Sequence, residues 1–461
     1  MKSKIKFSRL TATVAVICVL SAFGGPATAQ TLEDALAAAY MTNPSLAAQR
    51  ARVRSTDEQV PQALANWRPT VEITGSAGKE YNKNTTRTNR TQIRKPSSVG
   101  LEVTQPLYRG GRTMAATSGA ENNVRAARAL LLASERDVLL SAARAYLNVF
   151  RDEAVLKLNN NNEKVLKRQL EATRDRFEVG EITRTDVHQA EARLARATAD
   201  RIRALGDLEN SRANYENVVG LPAPSNLSLP SVPAELPKDR RDAVKSAATS
   251  NPTVIAAEFD RKAAQDSIRQ VKGELLPEVD VTASYDRRYE DSAASGRSDV
   301  GEVLLSLTVP IYQQGAVYSR LRAAKQTLAQ RVRDIDQARR DVIEDATSAW
   351  ESLLTARARV QSFQAQIEAN VVALDGVERE AAVGSRTVLD VLDAEQELLD
   401  SRVGHTQAQR DELVAAYELA ASVGRLTAEA LKLKVDLYDP RDHYNEVRGK
   451  LFGGSSTGEG K

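Results

Sequence analysis

Asp390 and Asp393 stand three residues apart, one helical turn from each other, so both carboxylates fall on one face of any helix that contains them. The chemistry such a pair offers is electrostatic. It draws cations, and a symmetry axis would gather copies of both carboxylates into rings. Spacing alone does not decide whether they face a lumen or bulk water. Asp390 also has a structural use, since Thr387-Val388-Leu389-Asp390 fits the [ST]-x-x-[DE] box that caps a helix start, as does Thr183-Arg184-Thr185-Asp186. Asp393 lies one turn past its box and needs another explanation. Gly384 and Gly180 precede the two boxes by a few residues and suit the left-handed C-cap of a preceding helix.

Catalysis finds no support in the remaining residue types. His188, His405 and His443 are scattered, and no HExxH, Gly-rich phosphate loop or nucleophile motif occurs. The one cysteine, Cys18, lies in the N-terminal segment, which excludes disulfides and thiolate chemistry from the rest. Lys+Arg 64 against Asp+Glu 61 signals neither nucleic acid nor an acidic substrate. We expect no enzyme, no cofactor and no metal.

The elements that would position the aspartates come in duplicate. Asn43-Pro44 returns as Asn251-Pro252 and Pro69 as Pro277, both 208 residues later. Pro106-Leu107-Tyr108 returns as Pro310-Ile311-Tyr312, Gly111 as Gly315, Gly180 as Gly384, Asp186-Val187 as Asp390-Val391, Glu191 as Glu395 and Gly220 as Gly424, all 204 residues later. Asp393 is unmatched, its partner being Gln189. The change of offset falls between Pro69 and Pro106, where a loop absorbs it. Two copies of one unit are therefore expected, about 30–220 and 241–425. A linker, 221–240, carries Pro222, Pro224, Pro230, Pro233 and Pro237, and a tail, 426–461, ends in a disordered Gly/Ser stretch.

Each unit reads helix, strand, loop, strand, long helix, tight turn, long helix. Val71, Ile73, Ala77 and Tyr81 alternate with Glu72, Thr74, Ser76 and Glu80, and Val99, Leu101, Val103 and Leu107 with Glu102 and Thr104. The second copy repeats this with Val279, Val281, Ala283 and Tyr285, then Val303, Leu305, Leu307 and Val309. We expect strands at about 70–81, 97–108, 278–289 and 300–311, with long helices at about 113–178, 184–219, 316–383 and 386–423. The proline-free helices of each unit's middle would reach about 100 Å at 1.5 Å per residue. Leu328, Val332, Ile335, Val342, Ala346, Ala349 and Leu353 follow heptad spacing, interrupted by Arg339. The stretch 82–96, with Lys83, Arg87, Arg90, Arg94 and Lys95, reads as a solvated loop.

The alternation by itself suits strands half-buried over a soluble core, and the N-terminus shifts the reading towards a membrane barrel. Lys2, Lys4, Lys6 and Arg9, an apolar run from Leu10 to Phe23, and Ala27-Thr28-Ala29 form a secretory signal peptide, 1–29, cleaved before Gln30. Ile17 ahead of Cys18 is bulky where lipid-attachment sites want a small residue, so an unlipidated mature chain is expected. An exported chain with no later apolar run can enter a membrane only as β-strands. Four strands cannot close a barrel, which needs about eight even when filled with side chains, so several copies must share one. The rival is a non-channel periplasmic coiled coil, which leaves the amphipathic strands without a use.

Gly180 with Ile182 and Thr185-Asp186-Val187, Gly384-Ser385-Arg386-Thr387 with Asp390-Val391-Leu392-Asp393-Ala394, the proline-ended strands and the duplication resemble the TolC-type outer-membrane efflux proteins, the outer membrane factor family. That resemblance spans nearly the whole mature chain. It implies an α+β membrane protein: a homotrimer in the outer-membrane lipid of a Gram-negative cell, with a shared 12-stranded β-barrel continuous with a helical periplasmic tunnel. An equatorial domain would be built partly from the linker and the C-terminal segment. It further implies an exit duct for drugs or secreted proteins, working with a periplasmic adaptor (membrane fusion) protein and an inner-membrane transporter, RND-type or ABC-type. By the same resemblance Asp390 and Asp393 match selectivity rings at the periplasmic entrance, and Arg386, with Thr185 and Asp186, matches the entrance latch. Ala381 stands where the best-known member has a tyrosine linked to the aspartate matched by Asp186, so one latch contact is missing.

Overall fold

The computed structural model describes residues 31–84, 90–224, 227–230, 232–233, 236–292 and 295–454. The expected signal segment, Arg87 of the basic stretch and the last residues of the tail lie outside the described residues. The chain opens with α1 (Leu32–Thr42), α2 (Pro44–Asp57) and α3 (Gln59–Ala65), followed by β1 (Thr70–Ala77), β2 (Glu80–Asn84), β3 (Arg90–Arg94) and β4 (Ser97–Arg109). Then come α4 (Arg112–Glu178) and α5 (Arg184–Val219). The second unit runs α6 (Arg240–Ser250), α7 (Pro252–Gly273), β5 (Glu278–Ser292), β6 (Ser295–Thr308), α8 (Ala316–Ala382) and α9 (Val388–Ser422), with α10 (Asp442–Val447) beyond it.

The single opening helix expected of each unit is broken, and the repeated Asn-Pro explains the break. Asn43 Oδ1 accepts from the Ser45 amide at 3.0 Å while Pro44 takes the first helical position, where a missing N–H is harmless. The same side chain donates to the Val218 carbonyl at 3.0 Å, at the end of α5. Asn251 does likewise, accepting from Thr253 at 2.9 Å and donating to the Ser422 carbonyl at 3.0 Å. Each asparagine thus starts one helix and ties it to the end of another. In the first copy Pro61, at the third position of α3, adds a further break, because its ring clashes with the carbonyl four residues back. The second copy has Arg269 there, and α7 continues for 22 residues.

Four strands form one antiparallel sheet in the order β1-β4-β5-β6, so among the described residues β1 and β6 each pair on one side only. Register sets Ile73, Leu101 and Tyr285 side by side on one face, with Val71, Val103, Ala283 and Val303 in the next row of that face. Among the described residues nothing covers this apolar face: Ile73 is 78% exposed and Val303 74%. A sheet half-buried over a soluble core would hide it. The opposite face carries Glu72, Glu102, Ser284 and Glu302 in one row. β6 stops at Thr308, short of the expected end, because Pro310 cannot donate to a ladder, whereas Pro106 is held inside β4 beside a bulge opposite β5.

The solvated loop expected at 82–96 is partly wrong. β2 and β3 pair there as a hairpin, Tyr81 opposite Ile93 and Glu80 opposite Arg94, after an interruption where the Gly78 amide bonds the Pro96 carbonyl at 2.9 Å. One apolar pair among many polar residues was too faint a period-two signal.

α4 and α8 have 67 residues each, about 100 Å of helix. The middle of α4 enters the main core, where Tyr146 and Leu147 meet Tyr215, Leu413 and Tyr417. The Tyr146 hydroxyl donates to the Ser228 carbonyl at 2.8 Å, strapping the linker over that core. The α8 seam is buried from Ile335 to Leu353, first against α6 and α7 and then α9, while Val332 stays exposed. Arg339, the break in the heptads, reaches across to Glu258 on α7 at 2.8 Å. Among the described residues no helix is long and apolar enough to cross a membrane.

Candidate functional site at the helical turns

The two turns farthest from the sheet share one backbone solution. α4 ends at Gly180, with φ +81°, whose amide bonds the Phe177 carbonyl at 2.9 Å while Glu181 bonds Arg176 at 2.9 Å. α8 ends at Gly384, with φ +79°, bonding Ala381 at 3.2 Å while Ser385 bonds Glu380 at 3.0 Å. Both are Schellman closures, in which a residue with a Cβ would be strained. The restart is equally paired. Thr183 donates its amide to Asp186 Oδ2 at 2.9 Å and its hydroxyl at 2.7 Å, and Thr387 does the same for Asp390 at 2.9 and 2.8 Å.

Asp186 and Asp390 are therefore helix caps in this chain. The Thr387 amide and hydroxyl, with Arg386 nearby, hold the Asp390 carboxyl below the usual range, so it keeps its charge in mild acid. All the cap bonds fall on Oδ2, and the carboxylate keeps acceptor capacity beyond them.

The expected latch partners are not brought together within one chain. Arg386 donates to Glu380 at 2.8 Å, on the last turn of its own α8, and this contact raises its pKa. Asp186 is engaged by Thr183, and Thr185 sits exposed beside it. The first turn carries a similar clasp with its charges reversed and one residue shorter, Arg176 before the glycine and Glu181 after it, at 2.6 Å. Ala381 contributes only its carbonyl to the turn.

Asp393 carries a partner that spacing did not suggest. Arg193, in the third turn of α5, donates to its Oδ1. Beside them Val187 and Ala190 of α5 pack with Val388 and Leu392 of α9 and with Leu166 and Leu170 of α4, so the tips of both helical hairpins form one apolar cluster. The duplication held the missed signal: the positions equivalent to Gln189 and Arg193 are Asp393 and Glu397, so the two copies differ in charge at both.

The histidines do not converge. His188 meets Glu191 at 3.0 Å and His443 meets the buried Asp57 at 3.2 Å, in different parts of the molecule. Among the described residues no group of His, Cys, Asp and Glu could hold a metal ion.

The chain matches the family model described as outer membrane efflux protein over residues 35–221 and again over 243–425, one match per copy of the repeat. It is 36% identical to the outer membrane efflux protein BepC of Brucella suis over 433 residues, 93% of each chain. It is 25% identical to the outer membrane protein TolC of Escherichia coli over 427 residues, 89% of this chain and 86% of that one. Among solved structures the Campylobacter jejuni CmeC outer membrane channel has a similar fold, with a TM-score of 0.77 at 13% identity, covering 96% of this chain and 98% of that one.

Proposed function

The chain belongs to the outer membrane efflux protein family, and from that premise we propose how its parts make an exit duct for efflux or type I secretion. One observation carries the reading: an uncovered apolar sheet face with two open edges, continuous with helices of about 100 Å. In lipid every unpaired backbone group costs several kcal/mol, so β1 and β6 must find partners. A homotrimer supplies them. Three four-stranded sheets close one 12-stranded barrel, the Ile73/Leu101/Tyr285 face meets lipid, and the Glu72/Glu102/Glu302 face lines the lumen. The long helices extend the lumen into the periplasm.

The turns form the entrance. Asp390 and Asp393, repeated about the axis, set its cation preference electrostatically. Arg386 latches it by exchanging Glu380 for Thr185 and Asp186 of a neighbouring coil; a contact that leaves a ready partner behind suits a gate. The exposed tips are where a periplasmic adaptor and an RND-type or ABC-type transporter engage. The signal peptide, 1–29, directs export and is then cleaved, without lipidation.

Planar bilayers test the entrance. Wild-type channels are expected to be cation-selective and blocked by multivalent cations, and Asp390→Ala/Asp393→Ala channels to lose both properties. A double variant with wild-type preference and block removes the aspartates from the lumen. Recovery of the exported protein from the soluble periplasm without detergent would overturn the channel itself.

A further inference from the structure

We infer that Arg193 is a second determinant of the entrance: it ties α5 to α9 through Asp393 and at the same time cancels part of that carboxylate's charge. The inference rests on the entrance reading above and adds a residue that neither the turn motifs nor the caps include.

Three observations carry it. Arg193 and Asp393 lie on different helical hairpins, α5 and α9, and their side chains meet directly. The arginine side chain is 27% exposed and the aspartate 55%, so the arginine is the better shielded of the two. The hairpin tips are already in apolar contact through Val187, Ala190, Val388 and Leu392, which leaves the ion pair to fix orientation at the rim of that contact.

The pair also has a direction. It joins the first copy of the repeat to the second, and the equivalent positions, Gln189 and Glu397, cannot make the reciprocal ion pair, because glutamine carries no charge. Where hairpins of the two kinds alternate around an axis, this tie favours one side of each hairpin. The two aspartate levels are then unequal. Asp390 is bonded by a neutral threonine and feels Arg386 only at a distance, whereas Asp393 is bonded directly to a cation.

A pair this exposed is weak, which suits a contact that must break at each opening. Exposed ion pairs shift a two-state ratio by about 1.4- to 5-fold each. Arg193→Gln keeps a good helix former while removing the tie and the counter-charge. We expect larger conductance, stronger cation preference and tighter multivalent block than wild type. Asp393→Asn should raise conductance but weaken the cation preference. The swap Arg193→Asp/Asp393→Arg should return conductance towards wild type by re-forming the bond in reverse.

Comparison of these channels in planar bilayers reads this. If Asp390→Asn weakens cation preference while Arg193→Gln matches wild type in conductance and selectivity, the tie is overturned and the entrance reading stands. If Asp390→Asn is also silent, the entrance reading falls and the inference with it. A swap variant no nearer wild type in conductance than Arg193→Gln likewise overturns the tie.

Discussion

Neutralising the glutamate row of the sheet, Glu72→Gln/Glu102→Gln/Glu302→Gln, tests which face lines the duct. Register places these side chains at one level, Glu72 opposite Glu102, then Ser284, then Glu302. Neighbouring strands lie about 4.8 Å apart, so three charges per chain recur around the whole barrel wall. At about 10 Å from the axis each carboxylate attracts a monovalent cation by about 0.4 kcal/mol in a water-like lumen. Screening with a Debye length of about 8 Å at 0.15 M salt leaves roughly a third of that. Summed over three copies, the row is worth about 1 kcal/mol, about a fivefold enrichment of cations on the axis. At about 1 M salt the Debye length is about 3 Å and almost nothing remains.

The assay is the reversal potential under a salt gradient. The triple variant should lose several-fold cation preference near 0.15 M and little near 1 M, while block by multivalent cations at the entrance is retained. An unchanged reversal potential at low salt would refute the assignment of faces, because the attraction exists only if those carboxylates face the ion path.

Three further outcomes are expected. Arg386→Ala should raise single-channel conductance, and conductance equal to wild type would take Arg386 out of the latch. Asn251→Ala removes a cap, about 0.5–2 kcal/mol, and orphans the Ser422 carbonyl, about 1–3 kcal/mol, at a site only 2% exposed. Asn43→Ala, at a half-buried site where water can substitute, should cost less, and denaturant unfolding of the two variants compares them. Glu395, half-buried on α9, has its carboxyl pushed up by burial and by Glu378, against the pull of Arg168. A raised carboxyl favours the packed state at low pH, and that contribution is lost as pH rises through its folded value. Glu395→Gln should therefore steady the hairpin tip at neutral pH and flatten its pH dependence; hydrogen exchange of α9 that still varies with pH as in wild type would count against this.

Much of the architecture was written in periods and punctuation. Period-two strands, proline-free helices and the glycine turns could be located because each rests on local rules, and α5 runs over Arg184–Val219 where its caps placed it. The failures are mostly long-range. The division of the opening helices is marked locally by Asn-Pro, but the bonds from Asn43 and Asn251 to carbonyls more than 170 residues away are announced by no local pattern. The β2–β3 hairpin is local but offers only one cross-strand apolar pair, Tyr81 with Ile93, among polar ones. At the turns, the caps were legible because Thr183 and Asp186 are neighbours in sequence. Arg193 was not, because its partner lies 200 residues away.

Comparison of the two copies separates scaffold from gate more sharply than either copy alone. Where they agree, the shared residue serves the geometry of the chain. Asn43 and Asn251 fasten helix ends, Gly180 and Gly384 reverse the chain, and Thr183 and Thr387 restart it. These roles are the same in both hairpins, so drift is costly in both. The copies diverge in charge at the tips. Arg176 becomes Glu380, and its partner past the glycine moves by one position, from Glu181 to Arg386, with reversed polarity; Gln189 becomes Asp393, and Arg193 becomes Glu397. Identical hairpins meeting side by side would set like charges against each other, which disfavours closure. Divergence in sign turns the same contact attractive, and at exposed sites it remains weak enough to break. The duplicated fold thus supplies a stiff tube, and on the proposed reading the charge differences between its halves are what would hold the end of that tube shut and let it open.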